Sequence, residues 1–188
     1  MAMAKLKPGV VYGEDYRALL GACKDGGYAL PAVNVVGSNS VNAVLEAAAR
    51  NQSDIIVQLS NGGAQFFAGQ GMADVDAARV IGAVSAAQHV HLLAQYYGVC
   101  VVLHTDHANR KLLPWIDSLI GEGEKYYKAN GRPLYTSHML DLSEESLEDN
   151  LSICADYLKR MVPLEMSLEI ELGVTGGEED GVGSDLDE

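Results

Sequence analysis

Five short apolar stretches are separated along this chain by longer segments whose apolar residues recur every three or four positions. The most apolar is Val99-Cys100-Val101-Val102-Leu103, which runs directly into His104-Thr105-Asp106-His107. A β-branched run without polar alternation reads as a strand covered on both faces. The other four strands are predicted over residues 28–34, 55–60, 134–140 and 167–172. Pro31 suits the start of the first and would be awkward in its middle. Between the strands the spacing predicts helices over 15–24, 40–50, 73–98, 112–130 and 143–161. Val41, Val44, Leu45 and Ala48 fall at i, i+3, i+4 and i+7 of one; Leu147, Leu151, Cys154, Leu158 and Met161 form the stripe of the last. Ser143 is placed to cap that last helix, and Asn61-Gly62-Gly63 reads as the turn after the second strand.

Strands alternating with helices imply parallel βαβ units. Asn34, Ser60, Asp106, His107, Asp141 and Glu171 then share the edge formed by the strands' carboxyl ends, where such folds place their chemistry. A doubly wound sheet and a (β/α) barrel both satisfy this pattern, and periodicity does not choose between them. With 188 residues, no repeat of fixed period and no Pro/Ser linker, one domain is expected.

Composition narrows the partners. A net charge of −13 argues against nucleic acid or an anionic membrane as a general partner. Cys23, Cys100 and Cys154 are odd in number, far apart and set among apolar residues, which reads as reduced core cysteines of a cytoplasmic protein. Residues 1–9 hold no apolar core of a signal peptide, and no run is long enough to span a membrane.

Two imidazoles and a carboxylate at the end of a buried strand suit a metal-assisted reaction; they also suit a plain polar exit from the core. Asp106 and His107 are adjacent and point to opposite faces of an ideal strand, so both reach one site only if the strand has ended there. His104 reads as a buried, hydrogen-bonded imidazole. His89 and His91 lie about 200° apart on a helix and are assigned to surface and packing. Asp141 has a reading as a helix cap, with Glu144 three residues on. Glu169 and Glu171 share a strand face, where two carboxylates are costly without a cation or a basic partner. Gly62-Gly63 and Gly176-Gly177 follow strand ends without P-loop spacing. Glu178-Glu179-Asp180 is either a solvated charge run or a lid that delivers a carboxylate.

Taken together, Leu-Pro-Ala-Val-Asn at 30–34, Val-Gln-Leu-Ser-Asn-Gly-Gly at 57–63 and Val-Leu-His-Thr-Asp-His at 102–107 resemble the class II fructose-bisphosphate aldolases. Lys-Leu-Leu-Pro-Trp at 111–115, Ser-His-Met-Leu-Asp-Leu-Ser-Glu-Glu at 137–145 and the stretch from Leu168 to Gly181 extend the resemblance over almost the whole chain. It implies a (β/α)8 TIM barrel and reversible cleavage of fructose 1,6-bisphosphate to dihydroxyacetone phosphate and glyceraldehyde 3-phosphate. It implies Zn2+ at a catalytic and a second position, with room for a monovalent cation. His107 is similar to the first zinc ligand, Asp141 and Glu171 to ligands of the second position, and Asp106 to the acid/base at the C4 hydroxyl. Ser60 matches a substrate contact. Glu179 resembles the mobile-loop carboxylate that handles the C1 proton, with Glu178 its alternative. Ala108-Asn109-Arg110 departs from the family's usual Cys-Ala-Lys.

The family's chain is nearly twice as long, so residues 1–188 are expected to be the amino-terminal part of one barrel, truncated after about the fifth strand, with 173–188 a mobile acidic loop. Two further zinc-binding histidines and the late phosphate loops are not in this sequence, and the 188-residue chain alone is expected to be inactive. A full-length homodimer acting on a phosphorylated sugar is implied. A tagatose-bisphosphate aldolase and a non-catalytic partial barrel that binds a partner chain are the rival readings.

Overall fold

The computed structural model describes residues 6–174. Along them run β1 (Gly9–Val10), α1 (Gly13–Gly26), β2 (Ala32–Asn34), α2 (Ser38–Arg50), β3 (Ile55–Leu59), α3 (Asn61–Ala68), α4 (Val75–Tyr97), β4 (Cys100–Ala108), α5 (Leu113–Asn130), β5 (Ser137–Leu140), α6 (Leu147–Met161) and β6 (Ser167–Ile170). All strand pairs are parallel, in the order β2-β3-β4-β5-β6, with β1 pairing with the start of β4. This is an α/β fold on a parallel sheet, as the alternating pattern requires.

β4 is apolar throughout because both of its faces are covered. Val101 and Leu103 join the main core with residues of α2, α4, α5 and α6. Cys100 and Val102 point the other way, into a smaller cluster with Val11 and with Leu19 of α1. Thus α1 covers the start of β4 on that face. Farther along, the same alternation gives His104 and Asp106, which line a cavity of about 280 Å³ with Tyr16, Gln58, Ser137 and Glu169.

Two elements were not anticipated. β1 is only two residues long, too short for periodicity, and is held by Gly9 N to Val99 O and Val11 N to Val101 O, both 2.9 Å. Thr136 Oγ1 donates to Val11 O at 2.6 Å and accepts from Leu103 N at 3.0 Å, tying the residue after β1 to β4. The expected turn at 61–63 is instead the first turn of α3, capped by Ser60, whose Oγ accepts from Gly63 N at 3.0 Å. Of the two glycines that read as a turn, Gly63 serves close packing there, since a Cβ on it would meet Val35 O at 3.2 Å.

Several boundaries shift for physical reasons. The first expected strand shrinks to β2 because Pro31 has no N–H; only its carbonyl joins the sheet, accepting from Ile56 N at 3.1 Å. The last helix starts at Leu147, not 143, with Ser146 as its cap. Its stripe rotates accordingly: Asn150, Cys154, Tyr157 and Met161 are buried, while Leu147, Leu151 and Leu158 are exposed. The two edge strands, β2 and β6, are the least buried of the β2–β6 path. No helix among the described residues is long and apolar enough to cross a membrane.

Candidate active site

Asp106 and His107 reach the same region although β4 has not ended there. His104 pairs with Ser137 and Thr105 with His138, but the next partner of Leu140 is Ala108. Three steps on β4 therefore oppose two on β5. One extra residue in the strand is a bulge, a device that re-aims side chains beside functional sites. The expectation that the strand must stop is replaced by this irregularity.

On one side of the bulge, Asn34 Nδ2 donates to Asp106 Oδ2 at 2.8 Å, so the end of β2 orients a carboxylate from β4 across the sheet. On the other, His107 Nδ1 lies 3.1 Å from Asp141 Oδ2 and 3.5 Å from Glu171 Oε2. Its Nε2 is 4.0 Å from Asp106 Oδ1. Partial burial favours the neutral imidazole. The Asp141 hydrogen bond and the charges of Asp106, Asp141 and Glu171 outweigh it and raise the His107 pKa above its ordinary value. Burial would raise the Asp141 pKa, but bonds from Ser143 and His107 hold it low. Ser143 gives both its N–H (3.2 Å) and its hydroxyl (2.6 Å) to Asp141 Oδ1, leaving Oδ2 for His107. Ser143 thus orients Asp141 and caps no helix.

His107, Asp141 and Glu171 offer ligand atoms all within 4.8 Å of one another, among the described residues. One imidazole and two carboxylates form a donor set that suits a divalent cation such as zinc. Glu169, expected beside Glu171 on a shared face, has a different partner. Its Oε2 lies 3.2 Å from His104 Nε2, and His104 Nδ1 lies 2.7 Å from Ser137 Oγ. The bond from His104 outweighs burial and lowers the Glu169 pKa. His104 is buried and fully partnered, as its position suggested. Ser60 stands at the same sheet edge as the cap of α3. Glu178 and Glu179 lie outside the described residues, as does the rest of the expected acidic loop beyond Val174.

Sequence reasoning noted Asn34 only as one more polar strand end, and overlooked Asn150 altogether. Asn150 is fully buried on α6 and donates from Nδ2 to Leu142 O (2.9 Å) and Glu171 O (2.7 Å). A signal for it existed: it falls at i relative to Cys154, Tyr157 and Met161 at i+4, i+7 and i+11, a polar residue on the buried face of a helix.

Two other histidines set the acid response. Burial pushes the pKa of His138 down to about 3 and that of His91 down to about 4. Below the ordinary value near 6.5 the unfolded chain binds protons that the folded chain refuses. Stability is therefore expected to fall with pH from about 6.5 toward 4, by about 1.4 kcal/mol per unit for each histidine. Urea denaturation at pH 6.5 and pH 5 should show the loss, and replacing both His91 and His138 by Gln should flatten it. An unchanged slope in that variant would refute the assignment.

Residues 14–187 match the family model of class-II fructose-bisphosphate aldolase. Over 193 aligned positions the chain is 58% identical to the fructose-bisphosphate aldolase of Haemophilus influenzae, covering 99% of this chain and 54% of that protein. It is 57% identical to the class 2 fructose-bisphosphate aldolase of Escherichia coli K12, covering 94% of this chain and 50% of that protein. The chain thus spans about half the length of the curated relatives it matches. A crystal structure of the aldolase from Campylobacter jejuni superposes with a TM-score of 0.86 at 55% identity, over 92% of this chain and 49% of that one. The YdjI aldolase of Escherichia coli K12, at 21% identity and a TM-score of 0.61 over 85% of this chain and 50% of that one, shares the fold. This chain belongs to the class II fructose-bisphosphate aldolase family.

Proposed function

We propose that the protein is a zinc-dependent lyase that reversibly cleaves fructose 1,6-bisphosphate to dihydroxyacetone phosphate and glyceraldehyde 3-phosphate. In this reading residues 1–188 are the amino-terminal part of a (β/α)8 barrel, and the whole protein works as a cytoplasmic homodimer in glycolysis or gluconeogenesis. The observation that carries it is the convergence of Asp141 Oδ2 and Glu171 Oε2 on His107 Nδ1, in a chain of this family. Family and donor set support zinc together.

His107 would hold the catalytic zinc, and Asp141 and Glu171 would hold the second position, all three donors lying within 4.8 Å of one another. When bound, the metal supplies Lewis-acid polarisation of a carbonyl oxygen. Asp106 takes the proton from the substrate's C4 hydroxyl in the cleavage direction and returns it in condensation. The Asn34 bond keeps Oδ2 oriented, so Oδ1 is the oxygen that moves the proton. Ser60 uses a lone pair to cap α3, which leaves its O–H to donate to a substrate oxygen. Glu179 exchanges the C1 proton of the triose, a role that rests on the resemblance alone. The α3 turn and the β4 bulge place Ser60 and Asp106 at adjacent strand ends, so the substrate is oriented from two sides.

Chelation tests the whole reading. Removing metal from the whole protein should abolish release of triose phosphate from fructose 1,6-bisphosphate, and zinc should restore it. Borohydride with substrate should leave no covalent lysine adduct, because no Schiff base takes part. Trapping of such an adduct, or full activity after chelation, would sink the proposal.

A further inference from the structure

We infer that Asn150 positions the metal-binding trio, acting as a side-chain clamp between the two segments that carry Asp141 and Glu171. The inference rests on the zinc reading above. It adds a residue on a different element, an outer helix, that touches none of the three ligand side chains.

The parallel ladder between β5 and β6 ends at the pair Leu140 and Ile170. Asp141 and Glu171 are the next residue on each strand, just past that last rung. Asp141 N donates to Ala108 O at 3.0 Å, which ties it to β4 and not to the segment that carries Glu171. The Asn150 amide bridges the two segments directly, since Nδ2 donates one hydrogen to Leu142 O at 2.9 Å and the other to Glu171 O at 2.7 Å. The first acceptor is the residue after Asp141, and the second is Glu171 itself. A single amide thereby sets the spacing at which both carboxylates reach His107 Nδ1.

The chemistry of the partners fixes the orientation of the amide. Both are carbonyl oxygens, which only accept, so the NH2 end must face them. The other end agrees, because Asn150 Oδ1 accepts from Cys154 Sγ at 3.3 Å. All of the amide's donors are used, and the residue is fully buried. Asp cannot substitute, since it has the same shape but would set carboxylate oxygens against two carbonyls. Partners of this kind typically change metal affinity 10- to 100-fold when removed.

A role in packing alone makes a different prediction, and Cys154 separates the two. It packs on the same buried face of α6, but it bonds to neither segment that carries the trio. Zinc affinity of the whole protein can be measured by competition with a chromophoric chelator for the parent, Asn150→Asp, Asn150→Leu and Cys154→Ala, each checked for cooperative melting. Both Asn150 variants should bind zinc about 10- to 100-fold more weakly. Cys154→Ala should bind within about twofold of the parent, although it melts earlier. Parent-like zinc affinity in a folded Asn150 variant would overturn the clamp, as would an equal loss in Cys154→Ala. If the parent itself binds no zinc, the metal reading fails and crystal structures of parent and Asn150→Leu decide the clamp. A trio that stays within 4.8 Å without the amide refutes it; a trio that separates supports it.

Discussion

Gly82→Ala should be among the most damaging single substitutions in the described part of this protein, although it adds one methyl group and improves intrinsic helix propensity. A Cβ at Gly82 would lie 1.8 Å from Ala64 O, 2.8 Å from Ala64 C and 3.1 Å from Ala68 N. All three are backbone atoms of α3, so no rotamer change relieves the clash. The gain in propensity is about 1 kcal/mol. Against it stands overpacking of about 3 kcal/mol, more where whole elements must move. A net loss of about 2 kcal/mol or more is expected, with α3 pushed away from α4. The consequence reaches the site, because Ser60 caps α3 and would be displaced with it. Gly121→Ala is the matched control: it also lies in a helix, but a Cβ there meets nothing within 4 Å. It should be neutral or stabilise by up to about 1 kcal/mol. Urea midpoints for the two variants and the parent measure both effects. A Gly82→Ala protein as stable as the parent would mean that the close approach of α3 and α4 is wrong.

That approach also shows where the sequence was readable. Period and length placed β3, β4, α2 and α5 within a residue or two, because each owes its form to its own apolar pattern. α3 could not be seen this way. Its second glycine, Gly63, packs against the backbone of Val35, and the same two letters normally mark a turn. β1 exists through the side chain of Thr136 and the backbone of Val99 and Val101, all distant in sequence. The site divides along the same line. Residues at strand ends were legible as candidates: Asp106, His107, Asp141 and Glu171 all lie at one sheet edge. What orients them was not, since the β4 bulge, Ser143 and Asn150 act through register and long-range hydrogen bonds. Adjacent Asp106 and His107 even argued against a shared site, until the extra residue in β4 resolved the conflict.

In the whole protein, Asp106→Ala and His107→Ala should fail in different ways. Asp106 stands apart from the trio: it is bonded to Asn34, and its nearer approach to the imidazole is 4.0 Å. On the proposed roles, removing it takes away a proton carrier and no member of the donor set. Turnover should fall about 10²- to 10⁴-fold, the usual worth of general acid/base catalysis, with zinc content unchanged. His107 is the single imidazole of the trio, and its removal leaves Asp141 and Glu171 facing each other without their shared partner. Two like charges so placed repel when no cation holds them. Zinc content should therefore drop along with activity, since a deleted ligand leaves an incomplete site. Metal analysis after gel filtration, run beside the triose-release assay, separates the two. Equal zinc loss in both variants would make Asp106 a ligand, and the proton at the C4 hydroxyl would need another carrier. Retained zinc in His107→Ala would instead move the metal away from the carboxylates that converge on this imidazole.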